Sequence, residues 1–189
     1  MIILRVFGLL LMMGSVQAAS VTYYIDPART LASIHVEQFG FTAQPISFSG
    51  IQGTLHFDHK NANNSSVYVE IPVKNVSTQI NQLDQKILQS NWLYVSKYPY
   101  ITFKSTRVVS SDNKNYKILG NLTIKGVTKA VQLDTVLFKQ SVHPILGVPV
   151  VGFSGKTNIK RSDFGLHEYM ANVGDQISIQ IRAEAIVAH

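Results

Sequence analysis

Ile177-Ser178-Ile179-Gln180-Ile181-Arg182-Ala183-Glu184-Ala185 alternates apolar and polar residues from end to end. Side chains of a strand point to opposite faces at successive positions, so this stretch has one apolar face and one wet face. The same period recurs upstream. Val67, Val69, Ile71 and Val73 alternate with Tyr68, Glu70 and Pro72. Tyr116, Ile118, Gly120, Leu122 and Ile124 form a second set, and Val131 and Leu133 flank Gln132. Further strands are expected over 21–26, 33–39, 53–57, 101–109 and 151–159. Turn chemistry separates them. Residues 59–66 (HKNANNSS) and 110–115 (SSDNKN) read as polar hairpin loops, 125–128 (KGVT) as a tight connection, and Pro144 to Pro149 as a break. Short antiparallel strands at this spacing indicate a sandwich or a barrel.

One segment departs from this pattern. Ile80, Leu83, Ile87 and Leu88 fall at helical spacing, with Gln82, Asp84, Gln85 and Lys86 between them. The spacing predicts an amphipathic helix over 80–91, with Ser77 or Thr78 as its N-cap. Trp92, Leu93 and Tyr94 follow as a bulky apolar cluster. A lone helix in a β-chain must bury its stripe, either over an open barrel end or against an outer sheet face.

Composition agrees with a folded β-domain. Of 189 residues, 46% are hydrophobic and only 15% charged, which excludes disorder. Nine Phe and eight Tyr suit pleated surfaces. Arg5, the apolar run 6–13 and the small residues of Val16-Gln17-Ala18 read as a signal peptide over 1–18, leaving 19–189 as one domain. No later stretch is long and apolar enough for a transmembrane helix. The chain has no Cys, which fits the bacterial periplasm and leaves no thiolate for catalysis or metal binding. Loss of Arg5 leaves 16 basic side chains against 11 acidic ones, a formal charge of +5 that favours anionic surfaces or head groups.

Catalytic patterns are missing. His56-Phe57-Asp58-His59 lacks the spacing of a helical zinc pair, and on a strand His56 and His59 face opposite ways. There is no G-x-S-x-G elbow and no phosphate-cradling Gly-rich loop. Basic residues are scattered, which argues against nucleic acid. We therefore expect no enzyme, no metal and no cofactor. An exported, aromatic-rich barrel suits an apolar ligand held inside it.

Five segments, in order, carry a resemblance. They are Tyr24-Ile25-Asp26; Gly53-Thr54-Leu55-His56-Phe57-Asp58; 97–106 (KYPYITFKST); 120–129 (GNLTIKGVTK); and 159–166 (IKRSDFGL). They resemble the YceI-like family of polyisoprenoid-binding proteins, whose counterpart of 120–129 reads GDLTIKGVTK. The likeness covers nearly the whole mature chain. It implies an all-β fold, an extended antiparallel lipocalin-like barrel of about eight strands with one amphipathic helix and a tunnel for an isoprenoid chain. It also implies a periplasmic, non-enzymatic carrier of a long isoprenoid such as a quinone or polyprenyl phosphate. A fatty acid or fatty amide is the alternative cargo, and a soluble partner of a membrane redox protein the alternative role. A homodimer is left open. The chain departs from the family pattern at Gln38, Ile46, Leu83 and Lys86, and over Asp26–Thr30, while keeping Asp84.

The expected lipid pocket comprises Phe39, Phe41, Phe48, Phe57, Trp92, Leu93, Phe103, Phe153, Phe164 and Tyr169. Trp92, the only Trp, follows the helix directly and is the leading candidate. Asp84, Arg161 and Asp163 are candidates for orienting a polar head at the mouth. For Arg161 and Asp163, a solvated surface ion pair is the competing reading.

Overall fold

The computed structural model describes residues 20–38, 41–42 and 45–187. The expected signal peptide and Phe39 lie outside them. Twelve strand segments form one antiparallel sheet: β1 (Val21–Ile25), β2 (Leu31–Gln38), β3 (Phe41–Thr42), β4 (Ile46–Phe48), β5 (Gln52–Phe57), β6 (Ser66–Pro72), β7 (Val76–Ser77), β8 (Tyr100–Ser110), β9 (Asn115–Ile124), β10 (Val127–Val142), β11 (Pro149–Lys160) and β12 (Val173–Val187). Eight of them close a ring in the order β1-β5-β6-β8-β9-β10-β11-β12, with β12 pairing back onto β1. Closure leaves the ring without terminal edges. The expected barrel of about eight strands is the observed one.

The other segments prolong this ring. β2 continues β1 along β12, β4 continues along β2 the pairing that β5 makes with β1, and β7 continues β6 along β4. β1 and β2 are separated by residues 26–30, which bulge away from β12. Glu184 holds this bulge. Its carbonyl accepts from the Asp26 N–H at 2.9 Å, and its carboxylate lies 3.4 Å from Arg29 Nη1. Alternation resumes beyond the bulge with its parity reversed, Ile25 facing the lumen before it and Ala32 and Ile34 after it.

Local chemistry sets the turns. Lys125 (φ 51°) and Gly126 (φ 76°) both adopt left-handed backbone in the two-residue turn between Ile124 and Val127. That is the turn whose twist matches paired strands, and it favours Gly. Asp58 organises the expected loop after β5. It accepts from the Lys60 and Asn61 N–H groups and from Asn64 Nδ2, each at 2.9 Å. This hydrogen bonding, led by Asn64, holds its carboxyl below the ordinary value. Asp112 does the same in the β8–β9 hairpin, accepting from the Lys114 and Asn115 N–H groups, and its carboxyl is likewise held low.

The helix is shorter than its stripe. α1 spans Asn81–Ile87, and residues 88–91 form turns. Ile80 is the N-cap residue and makes no side-chain cap. Neither Ser77 nor Thr78 occupies that place. The capping runs in reverse: Asp84 accepts from the Thr78 N–H and hydroxyl, both at 2.6 Å, which ties the first turn to the chain before it. Ile80 is 55% exposed and Leu83 is also exposed, so the apolar stripe is only half used. Ile87 and Leu93 carry the burial, packing with Val73, Val76 and Phe164 in the continuous core. The helix therefore sits at one end of the barrel, beside β7.

Candidate functional site: an apolar lumen

Inward positions of the ring strands enclose a cavity of about 180 Å³. Its wall is built by period two. β9 contributes Tyr116, Ile118, Leu122 and Ile124, and β12 contributes Ile177, Ile179, Ile181 and Ala183. The surface they present is apolar throughout. Three of the hydroxyl residues in the wall turn their oxygens to the backbone. The Thr30 hydroxyl donates to the Glu184 carbonyl at 3.4 Å and Thr135 to the Tyr116 carbonyl at 3.2 Å, while Ser65 Oγ accepts from the Asp58 N–H at 3.0 Å. Among the described residues no acid, histidine, lysine or arginine lines the cavity.

An aromatic knot closes one end. Phe57 stands edge-to-face with Phe153, Tyr116 and Tyr23, at ring separations of 5.6, 5.8 and 6.4 Å. These separations and tilts are the favourable ones for aromatic pairs. The Tyr116 hydroxyl donates to the Asn113 carbonyl at 3.0 Å. Burial pushes both the Tyr23 and Tyr116 phenols up. Packing around Ile87, Leu93 and Phe164 closes the other end.

The expected pocket residues divide between these places. Phe48, Phe57, Phe103 and Phe153 line the lumen. Trp92, Leu93, Phe164 and Tyr169 do not border it. Leu93 and Phe164 belong to the buried end, Phe164 being only 1% exposed. Trp92 stacks on Tyr169 with ring centroids 6.2 Å apart, and Lys86 Nζ donates to the Tyr169 hydroxyl. The Trp92 indole N–H is buried without a hydrogen-bond partner. Phe41 is 78% exposed. The reading from aromatics alone passed over the aliphatic wall, such as Ile34, Leu55, Val69, Ile118 and Ile179. Inward parity on the same alternating strands is the signal that finds them.

The three head-group candidates are not brought together. Asp84 is engaged with Thr78, as above. Arg161 is no surface residue and has no ion pair with Asp163. It is 4% exposed, and its guanidinium donates to the carbonyls of Leu166, Glu168, Val173 and Gly174 at 2.8–3.0 Å. It ties down the chain between β11 and β12, and burial lowers its pKa against the opposing pull of Asp175. Asp163 is exposed.

Residues 23–185 match the YceI-like domain family. A UPF0312 protein of Pectobacterium atrosepticum is 32% identical over 173 residues, covering 92% of this chain and 89% of its own. The YceI protein of Campylobacter jejuni superposes with a TM-score of 0.73 at 27% identity, covering 81% of this chain and 90% of that one. A structure described as a polyisoprenoid binding domain from Saccharophagus degradans superposes with a TM-score of 0.68, covering 88% and 98%. At 10% identity, that last likeness is one of fold.

Proposed function

The chain belongs to the YceI-like family, and from that premise we propose that it is a periplasmic carrier, not an enzyme, which holds a long isoprenoid chain of quinone or polyprenyl phosphate type in the barrel lumen. The observation that carries this reading is a closed ring whose interior presents only apolar surface. Ligand sites of this type bury most of an apolar molecule and keep few polar groups. The polyisoprenoid binding described for the Saccharophagus degradans domain supports the same cargo. The signal peptide proposed for residues 1–18 supports the periplasm. We read the wall as binding surface because it offers no acid–base group to a bound chain.

The lumen as it stands is small for such a cargo. Apolar cavities of ~150 Å³ take a molecule the size of benzene, whereas sites for larger ligands are typically ~300–1,000 Å³. A long chain therefore enters by shifting inward side chains. Native mass spectrometry of protein purified from its own host tests the proposal. A co-purifying isoprenoid released by organic solvent is the expected result. Protein that is empty from the host and fails to take up isoprenoids in titration would overturn it. A fatty acid or fatty amide in its place would keep the lumen and change the cargo.

A further inference from the structure

The barrel wall is split between β10 and β11. Their pairing runs from Val142↔Pro149 to Asp134↔Lys156 and stops there, with both strands unfinished. β10 begins back at Val127, bonded only to β9 over this stretch, and β11 runs on to Lys160, bonded only to β12. The turn Arg161–Phe164 contacts β10 at the foot of the split. A cleft of about 670 Å³ occupies the gap, and Val131 and Thr157 line both this cleft and the lumen. The cleft thus opens onto a part of the wall where no strand pairing seals the interior.

Its rim is cationic. Lys129, Lys156 and Lys160 line it, against Asp134 and Asp163. Asp134 accepts from Gln132 Nε2 at 2.9 Å. Among the described residues, no acidic oxygen lies within 4.0 Å of the three lysines. Lys129 has the inward parity of Val131, Leu133 and Thr135, so it stands where the apolar wall ends. Unpaired strand edges add backbone N–H donors facing the gap. An apolar lumen reached through a lysine-rimmed opening matches an amphiphile with an anionic end, because hydrogen bonds between ammonium and phosphate or carboxylate are the strong ones.

We propose that this slit is the portal of the lumen, and that Lys129, Lys156 and Lys160 hold the phosphate or carboxylate end of the bound lipid while its chain lies inside. This rests on the lumen reading above and adds to it a way in and a head-group class.

The test compares farnesyl phosphate, farnesol and inorganic phosphate on the full mature chain, wild type and Lys129→Gln/Lys156→Gln/Lys160→Gln, with folding checked by circular dichroism. Wild type binds farnesyl phosphate about tenfold more tightly than farnesol, as charged hydrogen bonds require. The triple variant loses that preference and keeps its farnesol affinity. Because the chain has no Cys, Gln132→Cys carries an environment-sensitive fluorophore at the slit, and Ser111→Cys carries one at the opposite end. Farnesyl phosphate shifts the first and not the second. Equal binding of the two lipids, unaltered in the triple variant, overturns the portal and leaves the lumen reading intact. So does a response from the Ser111 label with a silent slit. A slit label that responds equally to inorganic phosphate marks a free-anion site and also overturns it. Wild type that binds neither lipid overturns the lumen reading, and the portal with it.

Discussion

The ring of Phe103 fills the space that a side chain at Gly120 would occupy. A Cβ there would stand 2.6 Å from Phe103 Cε2 and closer still to Cζ. Both residues face inward on neighbouring strands, so the glycine lets the ring lie against the wall instead of across the lumen. Gly120→Ala is therefore expected to cost about 1–3 kcal/mol by overpacking and to weaken lipid binding by turning the ring inward. In a Phe103→Ala background the same substitution should cost less, the remainder coming from the Lys104 carbonyl oxygen, 2.7 Å from that Cβ. A double-mutant cycle by denaturant unfolding measures this coupling, and additive costs would refute the contact.

Phe103→Ala alone makes the opposite trade. Removing a buried ring costs about 3–5 kcal/mol of stability, yet it widens the lumen. Affinity for a long isoprenoid should rise relative to that for farnesol. Titration of both lipids decides it, and parallel losses would argue against a lumen limited by this ring.

Gly155 offers a way to block the interior. It faces the lumen, and a Cβ there would lie 3.0 Å from Thr135 Cγ2 and 3.3 Å from Leu133 Cδ1, both in the wall. A Gly155→Phe variant projects its ring into the cavity and should lose isoprenoid binding by tenfold or more, about 1.4 kcal/mol. Far-UV dichroism should still report a β-barrel. Undiminished affinity in a folded variant would place the ligand elsewhere.

Acid should loosen the loops first. Hydrogen bonds hold the Asp58, Asp112 and Asp175 carboxyls below their ordinary value of 3.8. Groups so depressed stabilise the fold fully above the unfolded-state value and lose that contribution as pH falls through the folded one. Thermal midpoints should therefore drop as pH falls below about 4. Asp58→Asn should lower the midpoint at neutral pH and flatten the acid limb. A curve parallel to wild type at every pH would show that Asp58 is no part of it.

Trp92 separates shape from hydrogen bonding. Its indole N–H has no acceptor, so Phe keeps most of the stack on Tyr169 and removes an unsatisfied donor. Trp92→Phe should cost less than about 1 kcal/mol, and Trp92→Ala about 1–3 kcal/mol through the lost stacking and burial. Chemical denaturation ranks the two, and equal losses would mean that the stack contributes nothing.

The alternation of Ile177–Ala185 and of Tyr116–Ile124 is enough to read the strands and, through the inward parity, four of the five aromatics that line the lumen. Phe48, Phe57, Phe103 and Phe153 lie on strands, where period two assigns a face. Trp92 and Tyr169 lie outside regular elements, where spacing assigns nothing, and their stack depends on two chain segments meeting. Arg161 reads as a surface charge because its partners are backbone carbonyls, which every residue has. The split between β10 and β11 is invisible for a related reason. Each strand remains regular along its other neighbour, and only the meeting of the two registers shows where pairing ends.

The seam between β1 and β12 has a consequence for how the protein is made. Tyr23 pairs with Val187 and Ile25 with Ala185, so the ring joins its earliest segment to its latest. Until the last strand has emerged there is a curved sheet with two sticky margins and no interior. A chain cut short before residue 185 is then an aggregation hazard rather than a barrel with a reduced interior. Contacts so distant along the chain also make folding slow, since the entropy of bringing the ends together is spent before any of it is returned.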